Sequence, residues 1–132
     1  MVKSMPTRCH LIKVAIPLVH VSSSAAAEEF YCERPGFRQE FSHRGDKAKA
    51  DPCYMGVSRD GVWLHVLSFS GDGVSGGVVN LIMEDVDALH SELVKKRVRI
   101  DTGPVDQTWG SREMYVEDAD GNCIRFIRPS GA

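Results

Sequence analysis

Apolar and polar residues alternate along most of this chain, and two stretches shift to a helical spacing. KVAIPLVHV (13–21) predicts a strand, with Pro17 implying an edge position or a bulge. Ser22, Ser23 or Ser24 can cap the helix formers AAAEEFYCER, which Pro35-Gly36 stops. FRQEFSH then alternates as a half-buried strand does. RGDKAKADP is a polar loop, and CYMGVS and VWLHVLSF read as strands joined at the hairpin signal Arg59-Asp60-Gly61. GDGVSGG, with four glycines, is a connector. GVVNLIM follows as a strand, and Asp85 is placed to cap VDALHSELVKKR, where Val86, Leu89 and Leu93 keep helical spacing. VRI, REMYVED and NCIRFI complete the chain as strands, the last two around Asp120-Gly121. Residues 1–11 read as a poorly ordered arm.

In order, the elements are β-α-β-β-β and then β-α-β-β-β again. Ala25–Glu29 and Ala88–Glu92 occupy corresponding places, as do the turns at Asp60-Gly61 and Asp120-Gly121. This is the pattern of a duplicated module, one at about 13–70 and the other at about 76–129, within a single domain spanning 1–132. One residue breaks the pattern. Arg125 sits inside the last strand, where a buried face does not normally hold a charge.

At 132 residues the chain is the size of one domain, which buries roughly two-thirds of its unfolded surface. A net charge of −2 without a basic stripe argues against nucleic acid as a partner. No apolar run approaches the ~18 residues that a membrane span requires. Lys3, Arg8 and Lys13 before VAIPLVHV imitate a secretory signal, but Pro17 and His20 break its apolar core. Cys9, Cys32, Cys53 and Cys123 have no zinc-finger spacing, and the expectation is reduced thiols in the cytoplasm, with Cys32 and Cys123 packed as small hydrophobes.

AAAEEFYCERPGF, SRDGVWLHVLSFSGDG, EDVDALHSEL and GPVDQTWGSREMYVEDADGNCIRF together resemble the vicinal-oxygen-chelate superfamily of glyoxalases, bleomycin-resistance proteins and ring-cleaving dioxygenases. The last motif is most similar to the bleomycin-resistance branch. The resemblance implies an α+β fold in which two βαβββ modules form cupped mixed sheets, assembled as a homodimer with two pockets. The superfamily's metal-ligand positions fall here on Ile16, Val78 and Arg125. None of these binds a divalent metal, since arginine keeps its proton at neutral pH. The expectation is therefore no metal and no cofactor. A displaced metal site using His20, His65 and Glu113 or Glu117 is the alternative, and would make the chain a glyoxalase-like lyase or a dioxygenase.

No Gly-x-Ser-x-Gly elbow, Cys/His signature or P-loop is present, and no catalytic residue is assigned. A binding cup is better supported. Trp63, His65, Leu67 and Phe69 share strand parity, and Trp109 lies in a glycine-flanked loop. The expected ligand-binding set is Trp63, His65, Phe69, Trp109 and Arg125. The plainer alternative makes Trp63 and Phe69 core or dimer-interface residues. Arg112 and Glu113 read as structural ion-pair residues, and Arg125 as meeting either an anionic ligand group or a buried Glu. Bleomycin-resistance proteins hold a cationic drug in an acidic groove; this chain is only mildly acidic and places Arg125 in the cup. The functional expectation is a metal-independent, non-catalytic binding protein that sequesters an antibiotic-like small molecule, as in antibiotic resistance, with bleomycin itself disfavoured.

Overall fold

The structure, a computed structural model, describes residues 11–33 and 35–131. The first module runs β1 (Leu18–His20), α1 (Ser24–Glu28) with a π-helical continuation over Glu29–Glu33, β2 (Arg38–Arg44), β3 (Cys53–Arg59) and β4 (Val62–Leu67). The second runs β5 (Val78–Ile82), α2 (Val86–Lys95), β6 (Thr102–Asp106), β7 (Arg112–Glu117) and β8 (Cys123–Arg128). Each module forms one four-stranded sheet, ordered β1-β4-β3-β2 and β5-β8-β7-β6. In each, the first strand pairs in parallel with the last and the other pairings are antiparallel. This is the α+β architecture of two mixed sheets expected from the repeated element order.

The helices begin where the sequence signals them, with Ser23 Oγ accepting from the Ala26 amide and Asp85 Oδ1 from the Ala88 amide. Three boundaries differ from expectation. β1 is confined to three residues rather than 13–21, because Pro17 has no amide to donate; its carbonyl accepts from the His65 amide at 3.0 Å. β4 stops at Leu67, so Ser68 and Phe69 lie beyond the strand. VRI is not a strand: Arg97 takes a positive φ of 60°, and the Val98 amide returns to the Leu93 carbonyl at 3.0 Å to close α2. Val98 is thereby turned into the core, and strand structure resumes only at Thr102. The arm over 1–11 falls, except for Leu11, outside the described residues.

One apolar core joins both modules. Val19, Met55, Val57, Leu64 and Val66 face it from the first sheet, and Met114, Val116, Ile124 and Phe126 from the second. Ala27 and Tyr31 from the first helical segment and Val86, Leu89 and Leu93 from α2 fill it. Each large side chain buried there contributes roughly 1.5–3 kcal/mol. Reciprocal contacts tie the modules: Tyr31 hydroxyl donates to Asp118 beside the β7–β8 turn, while Arg59 at the β3–β4 turn meets Glu92 on α2. Among the three cysteines described, all are free, but Cys53 is the buried one and Cys32 and Cys123 are half-buried. Cys53 shares the inward parity of Met55 and Val57, which explains the difference.

Candidate functional site

With one face of each sheet committed to the core, the side chains of opposite parity turn away from it. On the first sheet these include Trp63 and His65 of β4, Tyr54 and Gly56 of β3, and Phe41 of β2. Phe41 reaches this face through a bulge. Gln39 pairs with Val57, but the register slips, and Phe41 pairs with Gly56 rather than Met55. Its ring lies directly over Gly56, in the space that a Cβ would occupy. The rings then gather: Phe41 is 5.6 Å from His65 edge-on, 6.3 Å from Tyr54 in a near-parallel stack and 6.4 Å from Trp63. Tyr54 hydroxyl and His65 Nδ1 share a hydrogen bond of 2.8 Å. Phe41 is exposed and Trp63 and His65 are half-buried, so this ring cluster is open on its outer side.

The outward face of the second sheet carries charge. Arg125 lies opposite Tyr115 on β7 and opposite Asn80 on β5. Its guanidinium carbon sits 4.7 Å from the centre of the Tyr115 ring, a cation–π contact. Glu113, only 5% exposed, accepts from Ser111 Oγ at 2.5 Å and Trp109 Nε1 at 3.2 Å through Oε2, and from Tyr115 hydroxyl at 2.5 Å through Oε1. The hydrogen bond from Ser111, then that from Tyr115, hold its carboxyl below the ordinary carboxylate value, against the opposing effect of burial. The same Glu113 bond pushes the Tyr115 phenol up. Val78, Ile82, Val105 and Trp109 surround this centre with exposed apolar surface.

Four of the five residues expected to line one cup are thus divided between two faces. Trp63 and His65 meet on the first sheet; Trp109 and Arg125 flank Glu113 on the second. Phe69 stands apart, its ring packed over Gly45 beyond the end of β4. Arg112, as expected, is a structural ion-pair residue, bonding Asp87 on α2 and Asp106 on β6 from the core-side parity. Glu113 does not pair with it, because neighbours in a strand point to opposite faces. Phe41, Tyr54, Ser111 and Tyr115 are additional members. A glycine inside the strand CYMGVS was the available signal for a close approach at Gly56.

The metal-ligand positions carried over from the resemblance do not converge either. Ile16 precedes β1, and Val78 faces Cys123 across the strand pair, two pairs removed from Arg125. Of the displaced set, His20 Nδ1 lies 3.1 Å from the Asp72 carbonyl, His65 is bonded to Tyr54, and Glu113 and Glu117 belong to the other sheet. Among the described residues no three His, Cys, Asp or Glu side chains come together.

Residues 7–131 match the family described as glyoxalase superfamily protein. The chain belongs to that superfamily. Its fold is shared with TnmS3, an antibiotic binding protein from Streptomyces sp. CB03234, at 28% identity and a TM-score of 0.68, covering 92% of this chain and 100% of that one. It is shared equally with the bleomycin-binding protein of Streptomyces verticillus complexed with copper(II)-bleomycin, at 26% identity, a TM-score of 0.69 and coverage of 91% and 100%. A bleomycin resistance determinant encoded on the transposon Tn5, 20% identical with a TM-score of 0.70 over 92% of this chain and 100% of that one, shares the fold. No protein of curated function matches the chain at a significant level.

Chemically, the two faces of this glyoxalase superfamily protein offer complementary things. One presents aromatic rings for stacking; the other presents a guanidinium, an amide from Asn80 and a ring of aliphatic surface. Among the described residues no helix is long and apolar enough to cross a membrane.

Proposed function

We propose that this protein binds and sequesters an antibiotic-like aromatic small molecule, as a metal-independent, non-catalytic homodimer of the cytoplasm. The observation that carries the reading is the pair of outward faces, one a ring cluster of Phe41, Tyr54, Trp63 and His65 and the other the Arg125–Tyr115–Glu113 centre. Both turn away from the common core, and no hydrogen bond or ring contact joins them within one chain among the described residues. A second copy would bring the aromatic face of one chain over the charged face of the other and give two equivalent pockets. Antibiotic binding by TnmS3 and bleomycin binding by the Streptomyces verticillus protein support a ligand of this kind. Aromatic stacking adds about 0.5–1.5 kcal/mol per pair beyond the surface it buries.

The test is a solution mass, a metal determination and a tryptophan-fluorescence titration with aromatic antibiotics, all on the same purified protein. A dimer without stoichiometric metal, whose fluorescence is quenched by a ligand and less so after Trp63→Phe, is expected. A stoichiometric divalent metal lost on His65→Ala would replace this reading with the lyase or dioxygenase one.

A further inference from the structure

We propose that the charged face takes an anionic oxygen carried on the aromatic ligand (a carboxylate, sulfonate or phenolate) and that Arg125 is its partner. This rests on the reading of the two faces as one ligand site. Arg125 Nε is buried and has no hydrogen-bond partner. One side of the guanidinium is covered by the Tyr115 ring, and among the described residues no carboxylate forms an ion pair with it. A guanidinium hydrogen shielded from water without an acceptor is costly, and a ligand oxygen would satisfy it.

The carboxylate on this face that Arg125 acts on through space, Glu113, is already committed. Glu113 uses Oε1 for Tyr115 and Oε2 for both Ser111 and Trp109, so it balances the Arg125 charge through space without bonding it. A cationic ligand group placed here would meet the guanidinium and a carboxylate whose oxygens are occupied. An anionic group would meet Arg125 and the exposed Asn80 amide directly across the strand pair. Glu117, which shares this face, is exposed and lies two pairs further along, opposite Cys123. Arg128 also has an unpartnered Nε, but it has core-side parity and lies beside Asp87.

A matched pair of probes, anthracenecarboxylate and aminomethylanthracene, separates charge from stacking. Their affinities would be measured by fluorescence for the parent protein and for Arg125→Gln, Arg125→Lys and Trp63→Ala, each checked for folding by circular dichroism. The expected result is a preference of about tenfold or more for the carboxylate. Arg125→Gln removes that preference, Arg125→Lys keeps part of it, and Trp63→Ala weakens both probes. Equal or tighter binding of the amine would overturn the proposal, as would an unchanged carboxylate affinity in Arg125→Gln while Trp63→Ala abolishes binding. Should neither substitution move either probe, the two-face site itself falls, and this inference with it.

Discussion

The Tyr31 hydroxyl lies 2.8 Å from Asp118 Oδ2, in a fully buried bond that joins the first module's helical segment to the second module's hairpin. Burial, reinforced by the adjacent Asp118 charge, pushes the phenol far above its usual range, so at neutral pH it is a donor to the carboxylate. Asp118 also accepts from Asn122 Nδ2 and from the Asp120 and Asn122 amides, so losing the tyrosine hydroxyl does not orphan the carboxylate. Tyr31→Phe is therefore expected to cost about 1.5 kcal/mol, the low end for a buried hydrogen bond to a charged group, with an unchanged denaturant slope. Urea unfolding measures this. A loss near zero would mean that the bond only replaces one to water.

The reciprocal contact should behave differently. Arg59 meets Glu92 with both terminal guanidinium nitrogens at 2.9 Å, but the carboxylate is about a third exposed at 35%. The hydrogen bond from Arg59 holds the Glu92 carboxyl below its usual range. Screening by solvent limits such a pair, and Glu92→Gln should cost below ~1 kcal/mol, shrinking further in high salt. Equal losses for Glu92→Gln and Tyr31→Phe, independent of salt, would contradict this ranking.

Glu113 predicts an acid-side weakness. Its folded-state carboxyl lies below the ordinary 4.5, so the unfolded chain binds the proton more readily than the folded one. The stability from its three hydrogen bonds is fully present above that ordinary value. It is lost as pH falls through the lower folded-state value. Melting temperature measured from pH 7 downward should drop less steeply in Glu113→Gln than in the parent over this acidic window. Parallel profiles would show that other carboxylates dominate.

Most of the fold was legible because it rests on local rules: period-two alternation, two N-caps and two Asp-Gly turns, repeated in order. The site was less so. Parity placed His65 and Trp63 on the outward face, yet the same parity assigns Phe41 to the side of Phe37, in the core. The bulge after Gln39 reverses that assignment, and a register slip leaves no mark in hydrophobic pattern. Phe69 failed for a related reason: alternation predicts a face only while the strand lasts, and β4 ends before it. The distribution of Trp63, His65, Trp109 and Arg125 over two faces depends on how the modules pack, which no local pattern encodes.

Gly56 offers the cleanest separation of site from fold. A Cβ there would collide with the Phe41 ring, but the ring is 41% exposed and free to swing outward. Gly56 does not need a positive φ, and alanine in a strand interior is favoured over glycine by roughly 0.5–1 kcal/mol. These effects oppose each other, so Gly56→Ala should change unfolding free energy by less than about 1 kcal/mol. The ring cluster is the part that suffers: Phe41 would leave its contacts with Tyr54, Trp63 and His65, weakening aromatic probes several-fold. In a double-mutant cycle, Phe41→Leu should cost clearly less binding in the Gly56→Ala background than in the parent, because its ring has already been displaced. Additive losses would show that Phe41 binds ligand without resting on Gly56, and the close approach at the bulge would then carry no functional weight.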